Sequence, residues 1–227
     1  MLSAVLLSGG LDSAVLLAAE ADTHDVQPIY VAVGLAWERA ERDIVARLLE
    51  TEPRRGRIRP LITLSVDMRD VYAASHWAVT GRPPGYHTPD EDVYLPGRNV
   101  ILFGKAGVYC AANGIGRIVI GTLAHNPFPD ATPRFRAAMG EALSIGVAHA
   151  IQIEAPFADV EKADVVRRGA ALGVDFGRTL SCMNPNIDGA VPRHCGVCSK
   201  CRERHDAFVN AGLTDPTEYV DSSYVQA

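Results

Sequence analysis

The stretch Leu2-Ser3-Ala4-Val5-Leu6-Leu7-Ser8-Gly9-Gly10-Leu11-Asp12-Ser13 decides how the rest of the chain is read. Leu2 to Leu7 is a short apolar run, the pattern of a parallel strand buried on both faces. Asp12 to Asp22 (DSAVLLAAEAD) reads as a helix whose first turn carries a carboxylate and a hydroxyl. Between the two, Gly9 and Gly10 let the backbone turn sharply and leave its N–H groups uncovered. The helix start adds unpaired N–H donors and a partial positive charge, so the junction is built to hold an anion. A side chain at Gly10 would obstruct that approach. No Lys follows the glycines within the loop, which separates it from the lysine-bearing loops that serve terminal phosphoryl transfer.

Outward from this junction, apolar runs alternate with helical patterns. Gln27 to Val33 and Leu61 to Val66 read as strands, as do Arg117 to Gly121 and Ile151 to Ile153. Helices are expected over Trp37 to Glu50, where Ala40, Ile44, Val45, Leu48 and Leu49 recur at helical spacing, and over Arg98 to Asn113, Pro133 to Ala148 and Glu161 to Leu172. This alternation predicts an α/β fold, a doubly wound parallel sheet of five strands with helices on both faces. Ligands of such sheets sit beyond the carboxyl ends of the strands, where the strand order reverses. Ser8 to Ser13, the Gly34 region and the Gly121-Thr122 turn all fall on that edge, with His125 and Asn126 close behind. The stretch Thr80 to Gly97, with four prolines and three glycines, is irregular, and its 83–92 portion reads equally as a lid and as inert surface.

The 227 residues are 48% hydrophobic and 22% charged, the balance of a globular protein. A net charge of −5 argues against binding nucleic acid through bulk electrostatics, and the cluster Arg54, Arg55, Arg57 and Arg59 reads as a solvated loop. No apolar run reaches the length of a membrane span and the start lacks a basic signal region, so a cytoplasmic placement away from membranes is expected. Four of five cysteines, Cys182, Cys195, Cys198 and Cys201, lie within twenty residues. In a reducing compartment that clustering points to metal, and four thiolates suit a structural zinc ion. A Cys-x-x-Cys-x-x-Cys run also serves iron–sulfur clusters, and His194 is a further candidate ligand beside Cys195. Cys110, on an apolar helix face, reads as core.

Ser8-Gly9-Gly10-Leu11-Asp12-Ser13 resembles the PP-loop of the N-type ATP pyrophosphatases. With Leu95-Pro96-Gly97-Arg98-Asn99, Glu161-Lys162-Ala163-Asp164-Val165-Val166, Leu172-Gly173-Val174-Asp175 and the tail Thr179 to Cys201, nearly the whole chain resembles the 7-cyano-7-deazaguanine synthase (QueC) family. The resemblance implies an adenine nucleotide alpha hydrolase-like, Rossmann-like domain over 1–175 and a zinc-binding segment with a helix over 176–227. It implies an ATP-dependent carbon–nitrogen ligase that turns the carboxylate of 7-carboxy-7-deazaguanine into a nitrile through adenylation and ammonia. On that reading Leu7, Ser8, Gly9, Gly10, Leu11, Asp12, Ser13 and Val33 bind ATP, with Ser8, Asp12, Ser13 and Lys162 as catalytic groups. Arg98, Asn99 and Asp130 bind the base substrate; Cys182, Cys195, Cys198 and Cys201 bind zinc; magnesium accompanies ATP. The implied partners are a deazapurine carboxylate and ammonia from outside the chain, which carries no glutaminase-like segment, and a homodimer is compatible with it. Three places depart from the family pattern: Val33-Gly34-Leu35-Ala36-Trp37-Glu38, Phe128-Pro129-Asp130-Ala131-Thr132, and a longer Cys182 to Cys195 spacing. They leave open another carboxylate, a macromolecular acceptor, or a tRNA sulfur-transferase.

Overall fold

The computed structural model describes residues 2–225. Five strands, β1 (Leu2–Leu6), β2 (Asp25–Ala32), β3 (Ile62–Ser65), β4 (Arg117–Val119) and β5 (Gln152–Glu154), form one sheet in the order β3-β2-β1-β4-β5. Every neighbouring pair is parallel. The chain winds outward from β1 through β2 to β3, then returns to the other side of β1 for β4. The doubly wound sheet expected from the sequence is therefore present, with its switch point between β1 and β4.

Strand side chains alternate between the faces. Val5, Leu7 and Tyr30 point into a core with α1 (Leu11–Thr23), α2 (Glu38–Thr51), α6 (Lys162–Ala171) and α7 (Ser199–Ala211). Ala4, Leu6, Ile29 and Val31 point the other way, toward α4 (Arg98–Ala112) and α5 (Pro133–Gly146). Burial on both faces explains why β1 reads as an unbroken apolar run rather than an alternating one. Helix α1 is apolar nearly all round because it lies between the sheet and α6, with Ala207 and Phe208 of α7 in the same core.

A one-turn helix α3 (Trp77–Thr80) and a 3-10 turn over Asp90–Val93 interrupt the long irregular stretch. Arg54, Arg55, Arg57 and Arg59 do lie in a surface loop, where Arg54 pairs with Asp22 and Glu52. Cys110 is fully buried, and burial pushes its thiol up to about 12. No helix among the described residues is long and apolar enough to cross a membrane.

Candidate active site and metal centre

The loop Leu7 to Gly10 leaves the end of β1 and enters α1 with the geometry of a cradle. Gly9 has φ +80°, and a Cβ there would sit 3.0 Å from Val45 Cγ2, so this position admits only glycine. Gly10 caps α1 in extended backbone, and a Cβ on it would meet nothing closer than Ser8 Oγ at 3.4 Å. The hydroxyls of Ser8 and Ser13 lie 3.3 Å apart, the Gly10 N–H donates to Ser8 Oγ, and Ser13 Oγ donates to the Gly10 carbonyl.

This loop forms one wall of a cavity of about 250 Å³ at the switch point. Leu7, Ser8, Gly10, Asp12 and Ser13 line it, opposite Arg98, Asn99 and Asp130. The sequence elements singled out at opposite ends of the chain thus face one space. Asn99 clasps Asp130: its N–H donates to Asp130 Oδ2 at 3.2 Å and its Nδ2 donates to the Asp130 carbonyl at 3.1 Å. Burial raises the Asp130 pKa, while the Asn99 hydrogen bonds and the Arg98 charge oppose the rise. Arg98 makes no ion pair among the described residues, and its buried Nε has no partner there. Tyr94 and Phe128, stacked at 5.1 Å, add a flat aromatic wall.

Asp12 joins the cavity to a second cluster. Its Oδ2 accepts from Lys162 Nζ at 2.9 Å, and Glu203 of α7 grips the same ammonium group. Burial alone would lower the Lys162 pKa, but these two carboxylates outweigh it and hold the group protonated. Glu203 is drawn down to about 2, its burial outweighed by Lys162 and Lys200. Lys162 opens onto a separate cleft beside α7, not onto the main cavity.

Val33, Gly9 and Leu11 do not line the cavity. The Val33 N–H donates to Glu38 Oε1 at 2.6 Å, and its carbonyl accepts from the Met68 N–H. His125 is exposed against Glu161, whereas Asn126 lines the cavity. The Gly121-Thr122 turn lines the cavity as its place at the strand ends implied, whereas Glu41, Tyr30, Tyr94 and Phe128 line it without having been named as site residues from the sequence. Only the density of polar and aromatic residues around the strand ends hinted at them.

The four cysteine sulfurs of the tail lie within 4.8 Å of one another. A tetrahedral ion with metal–sulfur bonds of about 2.3 Å sets its ligands about 3.8 Å apart, so the quartet suits one ion and is too close-set to enclose a cluster of several irons. N–H groups of Asn184 and Cys195 donate to Cys182 Sγ, and that of Gly196 to Cys201 Sγ, the support that bound thiolates use. His194 stands outside the quartet, its Nε2 accepting from the Ser181 N–H at 3.0 Å. The 83–92 stretch is fastened to this segment: Arg202 donates to the Tyr86 and Thr88 carbonyls and pairs with Asp90.

A family profile described as "Queuosine biosynthesis protein QueC" matches residues 3–212. A protein of Xanthomonas campestris pv. campestris named 7-cyano-7-deazaguanine synthase is 34% identical over 96% of this chain and 98% of its own. One of the same name from Porphyromonas gingivalis is 30% identical over 96% of each. Among solved structures, one described as a predicted subunit of tRNA methyltransferase from Methanocaldococcus jannaschii aligns with a TM-score of 0.46 and 15% identity, covering 75% of this chain and 76% of its own.

Proposed function

Because the chain belongs to the QueC family of ATP-dependent PP-loop enzymes, we propose that it converts 7-carboxy-7-deazaguanine and ammonia to 7-cyano-7-deazaguanine, with an adenylated carboxylate as intermediate. The observation that carries this reading is one cavity shared by the Ser8–Ser13 loop, the unpaired Arg98 and the Asn99–Asp130 pair.

On this reading the loop N–H groups and the start of α1 receive the β,γ-phosphates, the part of ATP that leaves as pyrophosphate. Asp12 Oδ1, buried with no partner among the described residues, fits a magnesium ion, which would neutralise the triphosphate. Lys162, ion-paired to Asp12 and Glu203 from the neighbouring cleft, holds Asp12 in position beside the leaving group. Arg98 offers a planar fork to the carboxylate or to the α-phosphate. Asp130, pre-oriented by Asn99, accepts hydrogen bonds from the amino and ring N–H edge of a guanine-like base, and Tyr94 with Phe128 gives the ring a flat surface. Ammonia displaces AMP to give the amide. A second adenylation, on the amide oxygen, lets that oxygen leave with AMP as the amide nitrogen loses its protons and the nitrile forms. The metal is proposed to be zinc in a purely structural role.

The test is incubation with ATP, magnesium, ammonium and 7-carboxy-7-deazaguanine, followed by mass spectrometry. Nitrile and AMP are expected; ADP and phosphate, or an inert acceptor, overturn the assignment. Asp130→Ala should weaken the base substrate by about 1–3 kcal/mol while leaving ATP affinity nearly unchanged.

A further inference from the structure

Glu41 is a carboxylate on the cavity wall that none of the roles above uses. It sits in the first turn of α2 and is only 7% exposed. Two donors fix it: Tyr30 O–H gives a hydrogen bond to Oε2 at 2.7 Å, and Trp37 Nε1 gives one to Oε1 at 3.1 Å. Trp37 is itself locked, stacked on Trp77 with ring centroids 5.7 Å apart and planes nearly parallel. Glu38 secures the preceding turn by accepting from the Val33 and Gly34 N–H groups. The stretch 33–38 is thus the scaffold that aims Glu41.

We propose that Glu41 is the ammonium subsite, binding the incoming NH4+ and taking the proton that frees its lone pair. This rests on the reading that an activated carboxylate is aminated in this cavity. The charges are distributed for it: Arg98 on α4 faces the anionic electrophile, and Glu41 faces the cationic nucleophile. In the step, one N–H bond of ammonium breaks and its proton passes to a Glu41 oxygen. The nitrogen lone pair then bonds to the acyl carbon, the carbon–oxygen bond to AMP breaks, and AMP departs with that electron pair. One more proton leaves nitrogen for water to give the amide.

Burial pushes the Glu41 carboxyl up to about 7; Arg98 and the Tyr30 and Trp37 hydrogen bonds pull it down, and Glu38 adds to the rise. A base in that range suits proton transfer near neutrality.

The experiment pairs two nucleophiles on one enzyme. With 7-carboxy-7-deazaguanine and ATP, Glu41→Gln should lose amide and nitrile formation from ammonium about 100-fold or more. Hydroxylamine at pH 8 arrives uncharged and needs no such base, so the variant should still trap the acyl-adenylate as hydroxamate at a comparable rate. Tyr30→Phe removes a hydrogen bond that favours the ionised form, so its ammonium rate should rise with pH along a limb displaced to the alkaline side. Equal loss with both nucleophiles, full ammonium activity in Glu41→Gln, or an unmoved limb in Tyr30→Phe overturns the subsite. A wild type inert toward both nucleophiles with this acceptor overturns the parent reading and the subsite together.

Discussion

Two adjacent glycines in the loop do different work, and substitution separates them. Gly9 needs a positive φ and has Val45 against it, so Gly9→Val should destabilise the fold by about 2–4 kcal/mol, read by urea unfolding. Gly10 has an ordinary extended backbone, and a Cβ there would make only ordinary van der Waals contacts, so Gly10→Val should keep its unfolding midpoint yet lose ATP binding. Loss of fold in both would show that the cradle is merely structural. Glu41 leaves a second trace at this scale. Folding raises its pKa from 4.5 to about 7, so the folded chain holds a proton that the unfolded chain releases. This contribution to stability falls as pH rises from the unfolded value through the folded one, by about 3 kcal/mol in all. Glu41→Gln should flatten that decline between pH 5 and 8, and an unchanged slope would place the titration elsewhere.

At the scale of elements, legibility followed burial pattern. Strand β1 and helix α1 could be read because both are apolar on every side and joined by a loop of unmistakable chemistry. Helix α2 could be read as a helix but not as a site: Ala40, Ile44, Val45 and Leu48 define its core stripe, and Glu41 looks like the next solvent position. It is buried because the helix start passes behind the cavity, a tertiary fact with no periodic signature. Arg98, Asn99 and Asp130 could be named from motifs, but the clasp between Asn99 and Asp130 needs α4 and the 129–131 turn brought together in space. The stretch 83–92 could not be assigned because its order comes from Arg202, over a hundred residues away. The cysteine tail shows the same dependence. Gly196 has φ +84°, and a Cβ there would lie 1.7 Å from the Asp221 carbonyl oxygen, since residues 218–221 pair alongside His194 and Cys195. Gly196→Ala should therefore detach that segment and cost about 3 kcal/mol or more. A thermal scan showing no loss would mean the tail pairing carries no stability.

Across the whole molecule the cysteine quartet and the Ser8–Ser13 loop are one mechanical unit, although about 190 residues of chain separate Gly10 from Cys201. Two residues before Cys182, the Leu180 N–H donates to the Gly9 carbonyl at 2.8 Å and so holds the back of the cradle. Cys198 and Cys201 fix the start of α7, which carries Glu203 to Lys162 and, through Lys162, to Asp12. The fully buried Arg204, one residue further on, ties Thr179, Phe176 and Thr217 together with its guanidinium. Arg202 reaches from the same turn to the stretch whose continuation, Val93 to Leu95, lines the cavity opposite the loop. A structural zinc site contributes about 10–16 kcal/mol of binding free energy, comparable with the whole stability of a typical domain. Removing a bound ion would leave four thiols packed together with only backbone N–H groups to hold them. Dialysis against a strong chelator should lower the melting temperature and raise amide exchange over residues 180–205. It should also weaken ATP binding, although no cysteine touches the cavity. Metal analysis of the untreated protein should return about one zinc per chain. Were the chelated protein to keep both its melting temperature and its ATP affinity, the sulfur quartet would be a passive appendage and the cradle would stand on β1 and α1 alone.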